Sequence, residues 1–231
     1  MVAILASYPL LALRWRSIAA EMDPPGPGRM LEIVLIGAAV NNALPARLGE
    51  VARSVGLSRS SSRPVLESFG TVIVDRVADI VFFAAIFGLT VGTSPSPGWV
   101  QWVGVGGAVL TVVLVAGVGV VSMIMSRRTG PPPTGRITRH LATLAEGLRC
   151  VRTWGGLARA LGLTTAAWCV WMGGAWLVAE SIGIRLSVSE VLFMTALLGL
   201  GSAVPSAPGL IGTYLRIAAS ALGLFGVGGA D

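Results

Sequence analysis

The residues best suited to chemistry form two short ionic groups: Arg47, Glu50 and Arg53, followed by Asp75, Arg76 and Asp79. A guanidinium offers planar, bidentate donors to a phosphate or a carboxylate and stays charged at any relevant pH. Glu50 stands three positions before Arg53 and can orient it. Asp75, Arg76 and Asp79 interrupt an apolar run that extends through Val74 on one side and Ile80 on the other. At roughly 100° per residue the three fall within about one-third of a helix circumference, so they can face one interior. A carboxylate within a membrane costs about 2.5–3.5 kcal/mol and needs a partner. Arg76 satisfies one of the two, which leaves a negative charge for Arg47 or Arg53, for a proton, or for a cationic group on a ligand. The same residues also fit a structural ion-pair lock, and the two arginines also fit simple marking of the cytoplasmic side.

The elements that must position these groups break inside an apolar layer. Asn41, Asn42, Ala43 and Leu44 lead into Pro45, with Arg47 and Gly49 just beyond. In the other half of the chain Gly201, Ser202, Ala203 and Val204 lead into Pro205, Ser206, Ala207, Pro208 and Gly209. Proline removes a backbone donor and glycine permits positive φ, so each run predicts a helix that stops and frees polar backbone groups. At membrane depth such groups survive only against protein or a water-filled cavity. Paired breaks in corresponding halves point to a substrate site near the bilayer centre, where arginine charge and open backbone N–H groups would meet an anionic phosphate. Gly199, Gly201, Ser202 and Ala203 equally fit close packing of membrane helices.

Composition sets the solvent. The chain is 54% hydrophobic and 12% charged, with a mean hydropathy of +0.78. Several stretches reach the ~20 residues needed to cross a bilayer, so the expectation is an all-α polytopic membrane bundle. The net charge is +6 and all 17 basic residues are arginine. They sit mostly in connections between apolar runs, which indicates membrane topology and not a nucleic-acid partner. With His140 the only histidine and Cys150 and Cys169 the only cysteines, no metal cluster is expected, and no cofactor. The Gly104-Val105-Gly106-Gly107 run lies inside a span and makes no nucleotide loop. No catalytic constellation emerges, and no cleavable signal peptide is evident before Arg14-Trp15-Arg16.

Along the chain, the uncharged run before Arg14 reads as the end of a span whose start is missing. Residues 33–46 are too short to cross and are flanked by arginines on both sides, which predicts a hairpin dipping in from the cytoplasm. Helices over about 65–91 and 99–125 cross outward and back around a turn at 92–98, with Trp99 and Trp102 as interface anchors. Within a cytoplasmic stretch, 127–159, Ile137, Leu141, Leu144, Leu148, Val151 and Trp154 form one apolar helical face. That helix lies in the interface or packs under the bundle. Residues 160–179 cross outward, and the break around Pro205 enters from outside. The two breaks would then form an inverted repeat within a single domain, 1–231, cut short at both ends.

Taken in order, four motifs resemble the lysylphosphatidylglycerol synthase transmembrane, or flippase-like, family. They are Leu13-Arg14-Trp15-Arg16; Asn41-Asn42-x-Leu44-Pro45-x-Arg47-x-Gly49-Glu50-x-x-Arg53; Val74-Asp75-Arg76-x-x-Asp79; and Val204-Pro205-Ser206-x-Pro208-Gly209-x-x-Gly212-Thr213-Tyr214. The resemblance implies a prokaryotic cytoplasmic-membrane protein that moves a phospholipid or lipid-linked anionic intermediate, or that serves a separate lipid-modifying enzyme. The rival class is itself an enzyme of aminoacyl or glycosyl transfer. Carried over position by position, the implied site is Asn42, Pro45, Arg47, Gly49, Glu50, Arg53, Asp75, Arg76, Asp79, Pro205, Ser206, Pro208 and Gly209.

Overall fold

A computed structural model describes residues 5–44, 47–91, 98–126, 135–148, 153–201 and 211–225. Among these, all regular structure is helical: α1 (Ser7–Ile18), α2 (Pro27–Ala43), α3 (Leu48–Ser61), α4 (Val65–Val91), α5 (Gly98–Ser126), α6 (Arg136–Glu146), α7 (Trp154–Ser181), α8 (Val188–Gly201) and α9 (Ile211–Leu224). Boundaries follow local chemistry. A short 3-10 turn at Ala20–Met22 ends on Asp23 in the left-handed region, and Pro27 then opens α2 where its missing N–H costs nothing. Thr153 caps α7 by accepting from the Gly156 N–H. At the start of α8, the Ser187 N–H donates to Glu190 Oε2 while the Glu190 N–H donates to Ser187 Oγ. That reciprocal pair fixes the first turn.

α4 is the axis of the bundle, packing against α3, α5, α6, α7, α8 and α1. Its 27 residues run about 40 Å, and two apolar cores are strung along it. The first gathers Trp15, Met30, Leu57, Val72 and Val74 from α1 to α4. The second gathers Phe83, Phe87, Met172, Phe193 and Leu197 from α4, α7 and α8. Asp75, Arg76 and Asp79 fall between the two, so the polar layer is closed on both sides by packed side chains.

Two helix pairs flank this axis. α2 and α3 pack on each other around the break between Ala43 and Leu48. A Cβ at Gly49 would overlap the Gly37 carbonyl oxygen and the Asn41 side chain, so the two backbones meet here only because both positions are glycine. α8 and α9 also pack on each other. The break predicted around Pro205 lies outside the described residues, as do Pro45 and the 92–98 turn apart from Gly98.

The stretch Val100–Val121 of α5 and the whole of α7 are each long and apolar enough to cross a membrane. Few of the described residues in the α5 stretch are buried, which leaves a broad apolar surface that includes Trp102, Val109 and Val113. α6 packs on the first half of α4, where a Cβ on either Gly70 or Gly147 would meet the other helix's backbone. Ala145 and Leu148 are buried in that contact, whereas Leu141 and Trp154 of the predicted apolar face are exposed. Trp154 belongs to α7 and not to α6, which ends at Glu146.

Candidate functional site

The polar layer of α4 is the centre of a closed ring of alternating charges. Arg14 Nε donates to Asp75 Oδ1 at 2.8 Å, and Arg53 Nη2 donates to Asp75 Oδ2 at 2.8 Å. Arg53 Nη1 lies 3.5 Å from Glu50 Oε2. Arg76 Nε lies 2.8 Å from Glu50 Oε1, a charge contact without hydrogen-bond alignment, and its Nη1 lies 3.3 Å from Asp79 Oδ2. Asp79 closes the circuit back to Arg14, which grips both of its oxygens. Three guanidiniums and three carboxylates therefore cancel, and every charge touches two of opposite sign.

Three helices deliver the six members. α4 presents Asp75 and Asp79 inward on one face, α3 presents Glu50 and Arg53 one turn apart, and α1 inserts Arg14, which is only 1% exposed. Neutral side chains finish the shell. Trp168 Nε1 of α7 donates to Asp79 Oδ1 at 2.8 Å. Arg14 Nη1 also reaches Thr164 Oγ1, whose hydroxyl donates to the Ala160 carbonyl. The Arg53 guanidinium carbon sits 4.3 Å from the centroid of Trp15, a cation–π contact. The Trp15 indole N–H is in turn held by Thr71.

One side of the ring borders a cavity. This space of about 200 Å³ lies between α1, α2, α4 and α7, with Arg53, Asp75, Arg76 and Asp79 on its polar wall. Tyr8, Leu11, Val34, Trp168 and Trp171 supply the apolar wall. Arg53 is 5% exposed, yet its Nε has no hydrogen-bond partner among the described residues. A buried donor left this way costs about 1–3 kcal/mol unless something accepts from it.

The predicted site residues divide clearly. Glu50, Arg53, Asp75, Arg76 and Asp79 come together in the ring. Asn42 is exposed, and Arg47 serves as the left-handed residue (φ 54°) ahead of α3. Gly49 packs the hairpin, and its N–H is taken by Asn41 Oδ1 at 2.8 Å, while the Glu50 N–H goes to the Arg47 carbonyl. Open backbone N–H groups were expected at this break, and those of Gly49 and Glu50 are occupied by the hairpin itself. Pro45, Pro205, Ser206, Pro208 and Gly209 lie outside the described residues. Of the partners expected for the remaining carboxylate charge, Arg53 answers on Asp75, and Arg14 balances the charge that Glu50 adds to the ring, so no surplus is left for a proton or a cationic ligand. Arg14, Asn41, Thr164 and Trp168 were not foreseen as site residues. The signal for Arg14 was present in the unpaired second carboxylate of α4 together with an arginine inside an otherwise apolar helix.

The family model described as the lysylphosphatidylglycerol synthase TM region matches residues 1–231. The chain belongs to that family. It is therefore a membrane protein of lipid-related function. No curated protein and no solved structure matches the chain. Membership bears directly on the ring, since in a family defined by its transmembrane region an ionic layer between two apolar cores must neutralise itself or bind something polar.

Proposed function

We propose that the protein translocates a phospholipid or a lipid-linked intermediate across the cytoplasmic membrane of a prokaryote, with the headgroup passing through the cavity beside the ionic ring. The observation that carries this reading is the unpartnered Nε of Arg53 on the wall of a polar cavity between apolar cores. A phosphate oxygen is the natural acceptor for it. The cavity is below the roughly 300 Å³ at which small-molecule pockets usually begin. It suits a headgroup, with the acyl chains remaining outside the helices.

The ring supplies a way to let the headgroup move. Its longest link is Arg53–Glu50, at 3.5 Å. A phosphate that takes Arg53 competes with Glu50 there, while Arg76 still holds Glu50 and Asp75 still holds Arg53. Partners are exchanged one at a time, and no charge is stranded in a low-dielectric interior. The α2–α3 hairpin is fastened to α4 by Asp75–Arg53 and Glu50–Arg76, so loosening these links frees the hairpin to shift. The α8–α9 pair would serve the opposite leaflet, in an inverted arrangement of the polytopic bundle. Fixed-charge pairs of this kind favour binding and release over a covalent reaction, which supports a carrier over an enzyme.

The test is flux of a fluorescent phospholipid in proteoliposomes containing the purified protein. Arg53→Lys keeps the charge but removes the fork and the Nε donor, and should lower flux about tenfold while the protein stays folded. Wild-type flux in Arg53→Lys, or absence of flux from well-folded wild-type protein, overturns the reading.

A further inference from the structure

The ring and its cavity occupy the inner face of the antiparallel α1–α7 pair. On the outer face of the same pair, toward the end of α1 and the start of α7, lies a second cleft of about 500 Å³. Leu13 and Arg16 of α1, Asp23 of the following turn, and Arg159 and Leu163 of α7 line it. None of these residues takes part in the ionic ring. Along α1 they lie on the side of the helix opposite Ser7 and Leu11, which face the inner cavity.

The charges in this cleft are unspent. Arg16 is steadied by one bond, Nε to the Pro25 carbonyl at 3.1 Å, which leaves its two terminal nitrogens available. Arg159 and Asp23 have no ion-pair partner among the described residues. Two guanidiniums and one carboxylate give the cleft a net single positive charge. Leu13, which is 42% exposed, continues the wall as an apolar strip beside Leu163. A basic pocket between membrane helices that runs into an apolar groove has the shape of a lipid-headgroup site.

We propose that this cleft binds a phosphodiester lipid of single net negative charge with a hydroxylated headgroup. Arg16 and Arg159 clamp the phosphate, an acyl chain lies along Leu13 and Leu163, and a headgroup hydroxyl donates to Asp23. Asp23 decides the class. It disfavours a dianionic phosphomonoester by like charge, and it gives a hydroxyl donor an acceptor that a choline headgroup cannot use. The site does not depend on translocation, since it lies on the other face of the helix pair from the ring.

The experiment is native mass spectrometry of the purified full chain in detergent, with three probes added separately. Phosphatidylinositol carries head and chains, glycerophosphoinositol carries the head alone, and diacylglycerol carries the chains alone. Phosphatidylinositol should be retained, and the other two should not. Arg159→Gln should weaken that retention about tenfold, the loss of a charge-assisted contact. Arg159→Lys should weaken it less, and Arg29→Gln, on an exposed arginine outside the cleft, should leave it unchanged. Because Arg159 is exposed and unpaired, both of its variants should fold. Equal retention of diacylglycerol would make the cleft a mere acyl groove, and equal retention of glycerophosphoinositol a free-phosphate site. Either result overturns the proposal, as does unchanged phosphatidylinositol binding in Arg159→Gln.

Discussion

The two halves of the ionic ring are built from the same residue types and sit in opposite conditions. On the α1 side, Arg14 is sealed, with three nitrogens on Asp75 and Asp79 and one of these also on Thr164. On the α3 side, Arg53 keeps a free Nε and its longest link, while the Arg76 side chain is 39% exposed. A saturated buried pair fixes structure and has nothing left to offer a ligand. The loosely tied half, bordering the cavity, has donors to spare. The division assigns folding to Arg14 and ligand handling to Arg53, with Asp75 shared between them.

The largest expected effect breaks the sealed half. Arg14→Leu removes the one residue that holds both Asp75 and Asp79 among the described residues, and should destabilise the fold by about 3–5 kcal/mol. Thermal unfolding in detergent, followed by far-UV circular dichroism, reads this directly. Arg53→Leu should cost less, because Glu50 retains Arg76 and Asp75 retains Arg14. If the two variants unfolded alike, the contrast between the halves would be lost.

An intermediate effect comes from the hairpin that carries the loose half. Gly49→Ala pushes a methyl group into the Gly37 carbonyl and the Asn41 side chain, which should cost about 1–3 kcal/mol by overpacking. Because Glu50 and Arg53 ride on the same helix, lipid flux should fall more steeply than stability alone accounts for. Flux that simply tracks the folded fraction would mean that the hairpin's position is unimportant to the site.

Much of this arrangement was legible in the chain. The apolar runs and the turn at 92–98 marked α4 and α5 closely, because a long uncharged segment admits few alternatives. The embedded Asp75 and Asp79 marked the polar layer, because charge there demands a partner. What stayed hidden was which arginine answers. Arg14 looked like an interface residue because it follows an apolar run and precedes Arg16, and only tertiary packing of α1 against α4 and α7 brings it inside. Asn41 and Asn42 could not be ranked from sequence, since adjacent positions point about 100° apart and the helix phase depends on how α3 folds back. The Trp168 donor was out of reach, as nothing local links it to Asp79.

The smallest expected effect concerns Arg76, the residue the sequence made the nearest partner for one of the two aspartates. In the ring it is the outermost member. Its side chain is 39% exposed and its contact to Asp79 Oδ2 is 3.3 Å, against an Asp79 already held by Arg14 and Trp168. Exposure lets water screen the pair, which brings its contribution toward the roughly 0–1 kcal/mol of surface ion pairs. Arg76→Gln keeps a donor of similar reach and should lower stability by less than about 1 kcal/mol. The order Arg14→Leu, Gly49→Ala, Arg76→Gln thus runs from two buried positions to a part-exposed one, measurable in one series of melts. An Arg76→Gln protein as unstable as Arg14→Leu would place the structural weight on the cavity side and reverse the assignment of the two halves.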